Sequence, residues 1–104
     1  MIIEINESIF EDEINTNIPV LIDFYSDWCG ACESMYPLIE ELAEEYKEKV
    51  KFLKVNTPEN RNIGKKYRVM GLPTIIFLKD TEVIKVMNGS QSKESLAQAL
   101  NEII

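Results

Sequence analysis

The alternation of hydrophobic and polar positions changes several times along the chain, and each change predicts a different element. Short apolar stretches between polar residues predict strands, whereas apolar residues that recur every three to four positions predict helices with one buried face. This pattern predicts the element order βαβαβαββα. The predicted strands are residues 2–5, 20–25, 51–55, 74–79 and 82–87, and the predicted helices begin near Ser8, Cys29, Thr57 and Ser92.

Residues typical of helix starts precede three of the helical stretches. Ser8 with Glu11 matches a capping box, in which two side chains satisfy free backbone N–H groups at the start of a helix. Thr57 followed by Pro58 predicts an N-cap and a first-turn proline for the third helix. Ser92 predicts the cap of the last helix.

The second helix is predicted to be the longest, from Cys29 to Lys49, because its apolar residues keep a period near 3.6. Pro37 is expected to kink it, since proline has no N–H for the helical hydrogen bond. The apolar positions are Met35, Leu38, Ile39, Leu42, Ala43 and Tyr46.

Three strand–helix–strand units followed by a hairpin predict an α/β fold with a mixed five-stranded sheet. The last two predicted strands are separated by only two residues, so they must pair as an antiparallel hairpin. We expect the parallel strands to be central and the helices to cover both faces. The length of 104 residues predicts a single domain over residues 1–104.

Composition and charge narrow the possible functions. Apolar residues make up 45% of the chain, which is ordinary for a folded protein and excludes general disorder. The net charge of −7 argues against nucleic acid or an anionic membrane as the main partner. The charge is also uneven, because residues 1–50 contain two lysines and thirteen carboxylates, whereas residues 51–104 contain nine basic and five acidic side chains.

The N-terminal residues have neither the basic stretch nor the apolar run of a secretory signal. The longest apolar runs, residues 20–22 and 75–78, are too short to cross a bilayer. We therefore expect a cytoplasmic protein, in a compartment that keeps thiols reduced. A cysteine pair in that compartment is expected to react rather than to stabilise the fold.

Cys29 and Cys32 are three residues apart and allow three interpretations. A zinc site within one chain would need two more ligands, and the chain has no His and no further Cys. A structural crosslink over so short a loop would stabilise the fold by only about 2 kcal/mol. A redox pair fits the spacing, because thiols one helical turn apart can be bridged with little backbone movement. We therefore favour thiol–disulfide chemistry.

The predicted place of Cys29 at the start of a helix gives the two thiols different roles. Free backbone N–H groups and the helix dipole stabilise a thiolate there and lower its pKa. Cys29 is therefore expected to attack a disulfide, and Cys32, one turn inside the helix, to resolve the mixed disulfide. The pair also follows the strand 20–25, and reactive groups of α/β sheets collect beyond the carboxyl ends of strands.

The chain resembles the thioredoxin family over essentially its whole length. The matching residues, in order and approximate spacing, are the segment 23–32 (DFYSDWCGAC), Pro37, Lys54, the segment 71–74 (GLPT) and Gly89. A Cys-x-x-Cys pair alone would be a weak signal, but this combination is specific. The resemblance implies the thioredoxin fold and a thiol–disulfide oxidoreductase that reduces protein disulfides.

The resemblance also implies a role for each matching residue. Cys29 is the nucleophile and Cys32 the resolving thiol. Asp23 corresponds to a buried aspartate that assists proton transfer with Cys32, and Lys54 to a lysine near that aspartate. Pro73 corresponds to a cis-proline beside the disulfide. The implied substrate-binding groove consists of Trp28, Gly30, Ala31, Gly71, Leu72, Pro73 and Gly89.

The family further implies the partners. These are oxidised client proteins as substrates and a thioredoxin reductase as electron donor. We expect no cofactor other than the Cys29–Cys32 disulfide, no metal, no nucleic acid and no membrane partner, and we expect a monomer.

Four residues depart from the family pattern, and one of them, Thr81, replaces the glycine usual in the hairpin turn, which leaves the turn type open. Ala31 stands where thioredoxins usually have proline, so the loop is more flexible, and we expect a less reducing couple than a proline variant would have. Asp27 and Glu33 add negative charge beside the first cysteine. They are expected to raise the pKa of the Cys29 thiol modestly and to favour neutral or basic partners.

Other interpretations remain open at this point. The chain could be a docking module that keeps the fold without the redox reaction, a dedicated redox partner of a single client, or a dimer bridged by a metal between the cysteines of two chains. Asp23 could also lie at a solvated strand position without a chemical role, although its apolar neighbours favour burial.

Overall fold

The computed structural model describes all 104 residues and contains the predicted order of elements. The strands are β1 (Ile2–Ile5), β2 (Val20–Tyr25), β3 (Lys51–Asn56), β4 (Thr74–Lys79) and β5 (Glu82–Asn88). The helices are α1 (Phe10–Ile14), α2 (Gly30–Glu45), α3 (Arg61–Lys66) and α4 (Lys93–Ile103), and a 3₁₀ turn at Thr57–Glu59 precedes α3. No helix combines the length and apolar character needed to span a membrane.

The five strands form one mixed sheet in the order β1-β3-β2-β4-β5. Strands β1, β3 and β2 are parallel, whereas β4 is antiparallel to both β2 and β5. The expectation of central parallel strands is confirmed for β3 and β2 but wrong for β1, which is an edge strand, and the antiparallel β4 is an interior strand as well. The short helix α3 explains why β4 is antiparallel to β2. After β3, the chain stays at the end of the sheet where the parallel strands finish, and it enters β4 from that end.

The sheet packs against its helices through two hydrophobic clusters, one on each face. There are two because alternate residues of each strand point to opposite faces of the sheet. The face under α2 and α4 contributes Leu21, Phe52, Ile75 and Phe77 to the first cluster. The face under α1 and α3 contributes Val20, Ile22, Phe24, Leu53, Val55, Ile76 and Leu78 to the second. Helices on both faces are thus confirmed.

The predicted capping box at Ser8 is wrong. Helix α1 begins at Phe10 after Ile9, and no side chain caps it. The side-chain oxygen of Asn6 instead accepts hydrogen bonds from the backbone N–H groups of Ser8, at 2.9 Å, and Ile9, at 3.2 Å. Asparagine directly after a strand forms this local turn readily, and it satisfies N–H groups that the helix would otherwise leave free.

The other helix starts differ in their agreement with the sequence pattern. Thr57 does not cap α3, because it belongs to the 3₁₀ turn and its buried hydroxyl has no hydrogen-bond partner. Ser92 caps α4 as predicted, since its hydroxyl accepts from the N–H of Ser95 at 3.0 Å. Helix α2 begins one residue after Cys29 and ends at Glu45, before the predicted Lys49.

The hairpin between β4 and β5 is confirmed, with Lys79 paired to Glu82. Its two turn residues, Asp80 and Thr81, both have left-handed backbone angles, with φ of 52° and 66°. Such a pair is typical of the two-residue turns whose twist matches that of the strands, although glycine or asparagine is more usual at these positions.

Candidate active site

Most of the residues singled out in the sequence lie at one end of the sheet, where the parallel strands finish. The carboxyl ends of β2 and β3 lie there, with Tyr25 paired to Asn56. Because β4 is antiparallel to β2, the start of β4 lies at this end too, and Thr74 pairs with Phe24. Asn88, at the end of β5, pairs with Thr74. The loops that carry the cysteines, Pro73 and Gly89 therefore lie at the same end of the sheet.

Cys29 and Cys32 form a disulfide at the start of α2, with their Cα atoms 5.2 Å apart. Cys29 is the N-cap residue of α2, and its sulfur accepts a hydrogen bond from the N–H of Cys32 at 3.1 Å. Cys29 is partly exposed, whereas Cys32 is buried. An N–H directed at the outer sulfur from the start of a helix favours a thiolate at that sulfur.

A cavity of about 330 Å³ lies beside the disulfide, and both cysteines line it. Asp23 also lines this cavity and is only 1% exposed, so the predicted burial is observed. One carboxyl oxygen of Asp23 has no hydrogen-bond partner. Burial raises the pKa of Asp23 to about 7, while the Lys54 cation opposes the rise and the Glu4 carboxylate adds to it. A carboxyl group with this pKa can take up and release a proton near neutral pH.

Lys54 lies beside Asp23 because the two residues are paired across β3 and β2. Its ammonium group donates a hydrogen bond to the hydroxyl of Tyr36 at 3.1 Å and lies 3.7 Å from a carboxylate oxygen of Glu4. It also lies 4.7 Å from the centre of the Tyr36 ring. Burial lowers the pKa of Lys54, but the hydrogen bonds to Tyr36 and Glu4 outweigh burial and leave the pKa above its usual value. Lys54 therefore remains a cation.

Sequence reasoning missed three residues of this cavity network: Tyr36, Glu4 and Tyr25. The hydroxyl of Tyr25 donates to both carboxylate oxygens of Glu4, at 2.8 and 3.0 Å. Burial and the neighbouring carboxylate raise the pKa of Tyr25 above its usual value, so its hydroxyl stays protonated. A signal for Tyr36 was present, because it lies one helical turn after Cys32 on α2 and must face the same direction.

The loop before β4 lies at the same end of the sheet as the disulfide, because Thr74 pairs with Phe24. The Leu72–Pro73 peptide bond is cis, as the resemblance implied. The carbonyl oxygen of Pro73 accepts a hydrogen bond from the N–H of Gly89 at 2.8 Å, and the hydroxyl of Thr74 donates to the carbonyl of Gly71 at 2.6 Å. Gly89 has a φ of 82°, a backbone conformation that favours glycine. These bonds hold the loops of Pro73 and Gly89 together.

The residues implied for substrate binding differ in exposure. Trp28 is 95% exposed, so it is not a lid over a hydrophobic interior. Gly30, Ala31 and Gly71 are also exposed. Leu72 is partly buried and packs against the cluster under α1 and α3, while Gly89 is partly buried and Pro73 is buried. The exposed members, Trp28, Gly30, Ala31 and Gly71, are accessible to a partner.

Comparison with known proteins agrees with this geometry. The family model described as "Thioredoxin" matches residues 1–102. The thioredoxin of Rickettsia felis is 40% identical over 101 residues, covering 96% of this chain and 96% of the relative. The thioredoxin of Pyropia yezoensis is 37% identical over 102 residues, covering 97% of this chain and 95% of the relative.

A thioredoxin of Staphylococcus epidermidis is 39% identical over 101 residues, with 97% of this chain and 96% of the relative covered. The redox-active group that these similarities imply is contained in the protein itself, as the disulfide between Cys29 and Cys32. The chain therefore belongs to the thioredoxin family, and it is a thiol–disulfide oxidoreductase of the protein-disulfide reductase type.

Proposed function

We propose that this protein reduces disulfides of client proteins, with Cys29 as the nucleophile and Cys32 as the resolving thiol. One observation carries the assignment of roles: the partly exposed Cys29 caps α2 through its sulfur, while the buried Cys32 lines the same cavity as Asp23, one of whose carboxyl oxygens is unpaired. Cys29 is therefore accessible to a client, and the buried Cys32 is not.

In the first step, the thiolate of Cys29 attacks one sulfur of the client disulfide. A bond forms between Cys29 and that sulfur, the client S–S bond breaks, and the other client sulfur leaves as a thiolate that takes a proton from solvent. The N–H of Cys32 stabilises the attacking thiolate, because it is directed at the sulfur of Cys29.

In the second step, Cys32 loses its proton and attacks Cys29. The new bond is the internal disulfide, and the bond between Cys29 and the client breaks, so the client leaves with two reduced sulfurs. Asp23 is the acceptor of the Cys32 proton, because it lines the same cavity and its pKa of about 7 suits proton transfer near neutral pH. Lys54 keeps a positive charge next to this carboxyl group and limits the rise in its pKa.

The finer parts of the function follow the family. We propose that residues 1–104 act as one domain, as a monomer in the cytoplasm, and that a thioredoxin reductase returns the Cys29–Cys32 disulfide to the dithiol. The client is expected to lie along Trp28, Gly30 and Ala31 on one side of the disulfide. On the other side, it is expected to contact Gly71, Leu72, Pro73 and Gly89.

The experiment that tests this function is reduction of a protein disulfide driven by dithiothreitol. Wild type is compared with Cys29→Ser and Cys32→Ser, and the uncatalysed rate is subtracted. Only the wild-type protein is expected to turn over. In addition, Cys32→Ser should accumulate a mixed disulfide with the client that Cys29→Ser cannot form, which mass spectrometry detects. Turnover by both variants, or a mixed disulfide on Cys32 alone, would contradict the proposed roles.

A further inference from the structure

A second concave surface lies at the same end of the sheet as the disulfide. It shares no lining residue with the cavity that holds Asp23. It has a volume of about 610 Å³ and is formed by the 3₁₀ turn, α3 and the loop that leads to β4. We call this surface the α3 groove. The side chains that matter for its chemistry are Arg61, Lys65, Arg68, Met70 and Leu72.

The charge of the α3 groove is opposite to that of the protein. No carboxylate lines it, although the chain has 18 acidic and 11 basic residues. Six of the eleven basic side chains are in ion pairs with carboxylates. Three of the other five, Arg61, Lys65 and Arg68, line this one groove, and all three are exposed. They are available to pair with a partner.

The α3 groove also offers an apolar contact. Met70 is 95% exposed, so its side chain is accessible to an apolar residue of a partner. Methionine adapts to different partner surfaces, because its side chain is flexible and polarizable. Leu72, at the far end of the loop, is directly followed by Pro73 and connects the groove to the surface around the disulfide.

The backbone around the α3 groove is held by hydrogen bonds and close packing. The N–H of Arg68 donates to the carbonyl of Lys65 at 3.1 Å, and that of Val69 donates to the carbonyl of Gly64 at 2.9 Å. A Cβ atom at Gly64 would lie 3.1 Å from a methyl group of Thr57, so α3 packs closely on the 3₁₀ turn. The groove is therefore formed before any partner binds.

We propose that the α3 groove binds an acidic segment next to the reactive disulfide of a client protein. Carboxylates of that segment pair with Arg61, Lys65 and Arg68, while an apolar residue contacts Met70. Because Asp27 and Glu33 line the cavity that holds Asp23, an acidic segment is attracted to the α3 groove and repelled from that cavity. The groove and the cavity, which have opposite charge, together fix the direction in which the client lies. This inference rests on the proposed function.

The test uses two synthetic peptides of equal length, each with one internal disulfide. One carries three glutamates on one side of its disulfide, and the other carries glutamines at those positions. The pre-reduced protein is mixed with each peptide in a stopped-flow instrument, and the second-order rate constant is followed through the fluorescence of Trp28, the only tryptophan. At low salt, wild type should reduce the acidic peptide about tenfold faster, and the preference should fall as salt is added.

Arg61→Glu with Lys65→Glu is the variant that tests the groove, because it reverses two charges and leaves the left-handed backbone of Arg68 unchanged. It should lose the preference or invert it. The matched control is Lys49→Glu with Lys79→Glu, which makes the same change in net charge at two exposed lysines that form no ion pair and lie outside the groove. The control should keep most of the preference.

The possible outcomes separate the two proposals. Equal wild-type rates with both peptides would overturn the proposal that the α3 groove binds an acidic segment, and would leave the reductase function intact. No reduction of either peptide would overturn the proposed function. An equal loss of preference in both double variants would show that net charge, and not the groove, selects the peptide. A wild-type dimer in sedimentation that Arg61→Glu with Lys65→Glu dissociates would assign the groove to a second copy of this chain and overturn the proposal.

Discussion

The cavity beside Asp23 and the α3 groove lie at the same end of the sheet, but they differ in burial and in charge. The cavity contains a buried carboxyl group, and the one cation that lines it, Lys54, is held by Tyr36 and Glu4. The groove contains three exposed cations without carboxylate partners and an exposed methionine. Burial shifts proton affinity, whereas exposed charge acts on molecules that approach. The cavity is therefore suited to chemistry and the groove to selection of partners.

The comparison also refines an expectation from the sequence. Asp27 and Glu33 alone favour neutral or basic partners, and both do lie beside the disulfide. The α3 groove favours the opposite charge. A client with charges of both signs around its disulfide matches both regions.

The largest effect is expected from Asp23→Asn, which removes the buried ionisable group of the cavity. The pKa of Asp23 is raised from 3.8 to about 7, so between these pH values the native protein holds a proton that the unfolded chain has lost. Wild-type stability therefore falls as pH rises through this window, by up to about 4 kcal/mol. Relative to wild type, Asp23→Asn should gain this amount between pH 4 and pH 8, as measured by urea unfolding of the oxidised protein.

The same variant also tests the proposed chemistry. Loss of the proton acceptor should slow the second step, in which Cys32 releases the client, by about tenfold or more. Asp27→Asn removes one charge at an exposed position of the same cavity and serves as control. If Asp27→Asn gave the same pH-dependent gain in stability, burial of Asp23 could not be its cause.

The next effect concerns Ala31, between the two cysteines at the start of α2. Ala31 is exposed in the first turn of α2, where a backbone N–H has no partner within the helix, so proline fits there. Ala31→Pro stiffens the loop, and its reduction potential should be more negative by about 30 mV, or 1.4 kcal/mol. Equilibration with a glutathione buffer measures the potential. Ala31→Ser keeps the N–H and should match wild type, and equal potentials for all three proteins would discard the idea.

A smaller effect is expected from Lys54→Met. The Lys54 cation lowers the pKa of Asp23, so its removal should raise that pKa above about 7. The expected change is about half a unit to one unit, because Lys54 is also bonded to Tyr36 and Glu4. Carbon NMR of the Asp23 carboxyl group measures it. Lys65→Met, in the groove, should leave the Asp23 titration unchanged. A similar shift in both variants would show that the charges of the groove also act on Asp23, which would contradict the distinction between the two regions.

The smallest effect is expected from Glu33→Lys, beside the disulfide. Exposed charges act weakly through water, so the pH midpoint for alkylation of Cys29 should fall only slightly. Arg61→Glu with Lys65→Glu should change the choice of peptide and not this midpoint. No shift in Glu33→Lys would remove the role assigned to its charge.

Local patterns in the sequence were sufficient for part of the fold and part of the site. The hairpin follows from two residues between two strands, and the Ser92 cap follows from one side chain and its own helix. The Ser8 prediction failed although it was local, because Asn6 competes for the same N–H groups and the pattern of residues does not rank the two turns.

Other parts depend on which distant segments become neighbours. Glu4, Lys54 and Asp23 lie in one row only because β1, β3 and β2 pair in the observed register. Nothing near these residues in the sequence specifies that register. The direction of β4 likewise depends on where the chain lies after α3, and the pattern of apolar residues within β4 is the same for either direction.

By itself, the sequence determined the order of elements, the redox pair at the start of a helix and the excess of negative charge. Each of these depends on residues close together in the chain or on composition. Only the tertiary structure decided that Tyr36 holds Lys54 beside a buried Asp23, and that three cations gather in one groove on a protein of net charge −7. The physical reason is that burial and charge pairing depend on distances in space, and these distances arise only when the sheet assembles.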